Sequence, residues 1–208
     1  MKNKIVLFLI LLTVVLSGCS KKIDIKDFEQ PLDKDTSVED LKEVNEIKEN
    51  GYKMGDYVYI LGGLKYNDEI AKSSIAQLPQ LEKMFKEVES RIDVRKKINV
   101  IPYSIFYYED IEAYKINVLL FNTSKEAIKK GSYDSYPIMD AEITKLDGGI
   151  TKFEEHTDSI RPMEFMSLAL NFPLKKEDYA LLKEVKPENI EFVVQDLIIN
   201  GESVSNEN

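Results

Sequence analysis

The chain has one cysteine, one histidine and no tryptophan in 208 residues, and it is short of positive charge, with 28 Lys plus Arg against 37 Asp plus Glu. A single cysteine excludes an intramolecular disulfide, and a single histidine excludes a multi-histidine metal site. The net charge of -9 argues against a nucleic-acid partner, because phosphate binding needs a concentrated basic face. Neither Gly-x-Ser-x-Gly nor Ser-x-x-Lys occurs, and His156 is the only imidazole open to a triad, which argues against the common acyl-transfer enzymes. There is no long apolar run either. The longest, Ile5 to Leu16, is broken by Thr13 and would make about 18 Å of helix, too short for a hydrocarbon core of about 30 Å. What is present is ordinary: 43% apolar and 31% charged residues, enough to build the core of one medium domain.

The amino terminus carries an address. Lys2 and Lys4 precede the apolar run, and Ser17, Gly18 and Cys19 follow it, which is the layout of a basic start, a short apolar stretch and a small-residue cleavage site. Leu16-Ser17-Gly18-Cys19 resembles the lipobox of bacterial lipoproteins. The resemblance implies cleavage between Gly18 and Cys19, a diacylglyceryl group on the Cys19 sulfur, and a mature chain anchored to the outer face of the cell membrane. Two or three acyl chains hold stably where one would exchange, at about 0.8 kcal/mol per buried methylene. Cys19 is then an anchor and not a nucleophile. Without residues 1–18 the chain carries 26 basic and 37 acidic side chains, so the lipid and not charge must hold it to an anionic membrane. Lysine outnumbers arginine 25 to 3, a bias that looks like a low-G+C Gram-positive genome.

Residues 19–50 read as a lipidated acidic tether. Ser20 to Asn50 has eight apolar residues, ten acids and six lysines, and a coil of that length spans about 30 Å. Ser37 and Asp40 form a capping-box pattern ahead of Val38, Leu41, Val44 and Ile47, predicting a short helix in its second half. A single globular domain is expected over 51–200. Tyr57 to Leu61 and Leu64 to Tyr66 read as strands about a Gly62-Gly63 turn. Leu78, Leu81, Phe85, Val88 and Ile92 recur at helical spacing, with Pro79 in the first turn, and Asn67 or Asp68 can cap a further helix through Ala76. Beyond Asn99 the period falls toward two. The strands expected are Asn99–Tyr108, Tyr114–Asn122, Ile138–Leu146, Ile150–Glu154, Met163–Phe172 and Ile190–Ile199, with a helix over Lys175–Val185 and a flexible tail over 201–208.

The stretch Ala113 to Glu126, a strand ending in Asn122 and a polar turn, looks like Ig-like domains of Gram-positive surface lipoproteins. The Asp147-Gly148-Gly149 turn, Ile160-Arg161-Pro162-Met163-Glu164 and the strand Met166 to Phe172 follow in the matching order. This resemblance implies a mainly β fold, an antiparallel Ig-like sandwich with an inserted amphipathic helix. The alternative is α+β, an antiparallel sheet backed by the long helix.

Chemistry-bearing patterns are few. Glu154-Glu155-His156-Thr157-Asp158 is a solvated loop, Asp33-Lys34-Asp35 is a calcium-loop fragment without its glycine, and Tyr179 and Lys183 share a helix face without a dinucleotide loop. No metal or cofactor is expected. Eleven tyrosines suit either half-buried strands or a recognition surface. For the latter the turn-like segment Ser132–Pro137 is the candidate, with Tyr133 and Tyr136 flanking Asp134. The chain thus reads as an envelope lipoprotein with a non-enzymatic binding or accessory domain for a protein, peptide or envelope polymer. A carboxylate-dependent glycan hydrolase is the alternative, since paired acids need only spatial proximity.

Overall fold

The computed structural model describes residues 38–139 and 145–208. Cys19, Gly18 and the Asp33-Lys34-Asp35 fragment lie outside them. Helix α1 (Val38–Asn50) leads into a hairpin of β1 (Tyr52–Met54) and β2 (Tyr57–Tyr59), then helices α2 (Asp68–Ala76) and α3 (Leu78–Val88). Strands β3 (Ile98–Tyr108), β4 (Ala113–Asn122), β5 (Gly131–Met139), β6 (Gly149–Lys152) and β7 (Glu164–Pro173) follow. Helix α4 (Lys176–Leu182) and strands β8 (Ile190–Ile199) and β9 (Glu202–Ser203) complete the order.

Two sheets result. The first runs β1-β2-β7-β4-β3, antiparallel except where β2 meets β7, and the second runs β6-β5-β8-β9, antiparallel throughout. Between them lies the larger core. Tyr114, Ile116, Val118 and Leu120, alternate residues of β4, face Tyr133, Met139, Ile190, Phe192 and Leu197 of the second sheet. The other side of the first sheet presents Leu119, Phe121 and Phe165 to the helices. Because β4 is buried on both faces, its second half, Val118 to Phe121, is a continuous apolar run rather than an alternation.

The expected stripe of α3 is the cover of that second core: Leu78, Leu81, Phe85 and Val88 are all buried, and Phe85 stacks on Phe165 at 5.3 Å between ring centroids. Pro79 sits in its first turn, where an amide would have no helical partner. Asn67 caps α2 by accepting from the Glu69 and Ile70 amides, each at 3.1 Å. Four helices among the described residues therefore share the fold with the strands, which makes it mixed α and β rather than mainly β. The expected alternatives merge, since the helices back one face of a sheet whose other face packs on a second sheet.

Several expectations are corrected. The hairpin turns at Gly55, whose φ of +58° suits the first position of a two-residue turn, and not at Gly62-Gly63. Gly62-Gly63 opens a 3-10 turn instead, and a Cβ on Gly62 would stand 2.6 Å from the His156 carbonyl oxygen. Residues 140–144 of the strand expected at Ile138–Leu146 lie outside the described residues, while Ile138 and Met139 end a strand that begins at Gly131, which was not expected. Packing reaches back before Gly51, for Ile47 of α1 is buried in the second core. The tail expected over 201–208 is tied down: β9 pairs with β8, Asn206 clasps the Ile98 backbone, and the Asn208 side chain donates to the Val94 and Lys96 carbonyls. Five hydrogen bonds of the Asn206 and Asn208 side chains to backbone groups replace the solvent that a loose tail would face.

Candidate functional site

One concavity follows from how two strand edges end. Strand β3 pairs only with β4, and its outer edge carries the backbone groups of Ile98, Val100 and Pro102. Pro102, which has no amide, is tolerated there because an edge needs no donor. On the second sheet β8 pairs with β5 from Ile190 to Gln195 and, past a bulge at Asp196 and Leu197, at Ile198 and Ile199, whereas β9 covers only Ile198 and Ile199. The side of β8 turned away from β5 carries Ile190, Phe192 and Val194. Two observations establish this parity: the Ile190 carbonyl accepts from Arg91, and Phe192 stands opposite Pro137, which could not donate to it.

These edges border a cleft of about 910 Å³ between the sheets. Arg91 closes one end, its guanidinium donating to Pro102 O at 2.9 Å on one sheet and Ile190 O at 3.1 Å on the other. Half-burial among carbonyls draws the Arg91 pKa below its usual value, while Glu188 pulls it the other way. Asn206 closes the other end, accepting from Ile98 N at 2.9 Å and donating back to Ile98 O at 3.2 Å. The floor is apolar: Ile98, Val100, Met139, Ile190 and Phe192, all buried. The rim carries Glu188, Glu191 and Glu207 against Lys96. In a second hollow of about 170 Å³, Lys65 pairs with Asp158 and Arg161 with the buried Glu164, the latter at 2.5 Å.

The sequence-predicted trio does not converge on this cleft. Ser132–Pro137 is not a turn but the middle of β5, so its residues alternate between faces. Tyr133 is fully buried against Phe153, and burial pushes its phenol pKa up. Asp134 and Tyr136 lie on the opposite face, Asp134 accepting from Gln195 at 2.9 Å and Tyr136 lying under the Lys145 ammonium, 3.8 Å from its ring centre. The other tyrosines are mostly structural: Tyr57, Tyr59 and Tyr114 are buried, Tyr103 bonds Ser167 at 2.7 Å, and Tyr107 stacks on Tyr179 at 4.1 Å.

The acidic stretch around His156 also disperses. Glu154 accepts from the Gly131 amide and Asp158 pairs with Tyr66 and Lys65, so their carboxylates point to different partners. Among the described residues no cluster of His, Cys, Asp and Glu could hold a metal ion. Among them also, no helix is long and apolar enough to cross a membrane. No protein-family model matches the chain, and no curated protein matches it. The signals in sequence for the cleft were Pro102 inside a strand and Arg91 just after an amphipathic helix, both readable only once the strands are placed.

Proposed function

We propose that this chain is a cell-envelope lipoprotein, lipidated on Cys19 and held outside the membrane, whose domain is a non-enzymatic binding module that receives a partner in the cleft between β3 and β8. The observation that carries the binding half is the cleft itself, an apolar-floored space bounded by strand edges with backbone donors and acceptors left open. The anchor half rests on Leu16-Ser17-Gly18-Cys19. An Ig-like sandwich is the finer reading of the fold. Lettered from β3, the first sheet holds A, B and E and the second holds C′, C, F and G, with β1 and β2 added beside E. In that lettering β9 is a G strand of two residues, and the cleft lies where a full-length G strand would run beside F.

Two measurements test this reading. Wild-type chain should fractionate with membranes and Cys19→Ala chain should not; equal partitioning rejects the anchor. A photoreactive side chain at Ser205, which is exposed and lines the cleft, should give discrete adducts in intact envelopes where one at the exposed Ile111 does not. Equal labelling at both positions rejects the cleft as the binding site. Glu188, Glu191 and Glu207 on one rim are the observation favouring glycan hydrolysis as a second reading. Release of sugars from envelope glycan that disappears in Glu191→Gln would establish it in place of the first.

A further inference from the structure

The cleft is more specific than an apolar hollow, because what it lacks is a strand. Along β8 the backbone groups of Phe192 and Val194 point away from β5 and, among the described residues, meet no partner strand, since β9 ends at Ser203 and the following Val204 donates only to Leu197 O, at 2.9 Å. Across the gap Val100 stands in the same position on β3, between Ile98, which Asn206 satisfies, and Pro102, whose carbonyl Arg91 satisfies. An open edge normally costs little because water reaches it. Here the edge borders a recess whose floor is apolar, where a strand would satisfy the backbone and bury its own alternate side chains together.

Resting on the reading of the cleft as a partner site, we propose that it binds its partner by strand addition: an extended polypeptide segment of another protein, apolar at alternate positions and basic between them, pairs with β8. The span from Ile190 to Leu197 accommodates about six residues at 3.3–3.4 Å each. Apolar side chains of that segment face Val100, Met139 and Phe192 on the floor. Its outward lysines or arginines meet Glu188, Glu191 and Glu207 on the rim. The same three acids, on a chain of net charge -9, disfavour a second copy as the occupant. Arg91 and Asn206 at the two ends limit the length of the inserted strand rather than contact its side chains.

The test uses the mature-length chain with Cys19→Ser and a short synthetic peptide alternating valine with lysine, followed by amide hydrogen exchange. Bound peptide should slow exchange at Phe192 and Val194 at least tenfold. Two further peptides carry backbone N-methyl groups on alternate residues, one series on each edge; one should bind as the parent and the other should lose all protection. A peptide of the same composition with its valines and lysines in separate blocks should not protect. Val194→Pro, which removes an outward amide and no bond to β5, should abolish protection while leaving the circular dichroism of the fold unchanged. If that variant does not fold, the N-methyl pair decides on the untouched protein.

Absence of binding, binding without slowed exchange, equal behaviour of the two methylated peptides, or equal binding by the block peptide each overturns strand addition. So does a dimer whose Phe192 and Val194 amides are protected before peptide is added. Ser205 adducts that persist in such a case leave the cleft as a partner site for something other than a strand. Loss of both results removes the binding reading itself.

Discussion

Asn122 illustrates how much a single polar residue organises when it is buried. Its Nδ2 donates to Glu126 O and Ile160 O at 2.8 and 2.7 Å, and its Oδ1 accepts from the Ser124 amide and hydroxyl. The strand-end asparagine and polar turn noticed in sequence are thus a structural joint between β4 and the segment before β7. Asp93 is a second local device, and it titrates. Side-chain and backbone hydrogen bonds from Arg95 hold its carboxyl down at about 2 against an ordinary 3.8. A depressed carboxyl contributes stability above its unfolded value, and that contribution is lost as pH falls from 3.8 through 2. Urea unfolding of wild type and Asp93→Asn should therefore differ at pH 7, with wild type the more stable, and converge near pH 2. A difference that stays constant with pH would show that the Arg95 pairing contributes nothing.

Helix α3 is the element whose role the sequence announced most clearly and whose partner it did not. Its stripe of Leu78, Leu81, Phe85 and Val88 required an apolar surface, and the surface proves to be the outer face of the first sheet. Phe85 is 2% exposed and lies within a ring cluster with Tyr57, Phe121 and Phe165. Phe85→Ala should cost about 3–5 kcal/mol in chemical denaturation, whereas Phe85→Leu, which refills most of the volume, should cost about 1.5 kcal/mol or less. Strand β5 shows the opposite case. Gly131-Ser-Tyr-Asp-Ser-Tyr-Pro137 has the composition of a turn, yet pairing on both sides, with β6 and β8, makes it a strand. Local propensity lost there to tertiary pairing, and a surface tyrosine became a core tyrosine as a result.

At the scale of the molecule the two sheets are joined on the cleft side by Arg91, whose guanidinium reaches carbonyls on both. Arg91→Ala should lower stability by about 2 kcal/mol in urea unfolding, since charge-assisted bonds to buried carbonyls are lost. Lysine at the same position should recover only part, because one ammonium cannot fork to Pro102 O and Ile190 O together. Equal stability of all three would show the sheets are held by the core alone. The elements legible in the chain alone are those whose signal is local: the period of α3, the Asn67 cap, and the strands β3, β7 and β8. Each of these depends on residues within a few positions of one another. Long-range packing, by contrast, is what lays the helices on one face of a sheet, turns Tyr133 inward and fastens the tail to β3. The cleft belongs to the same group. It exists because β9 stops after two residues while β3 and β8, about 90 residues apart in the chain, bring their open edges together, and no local pattern records a pairing that is missing.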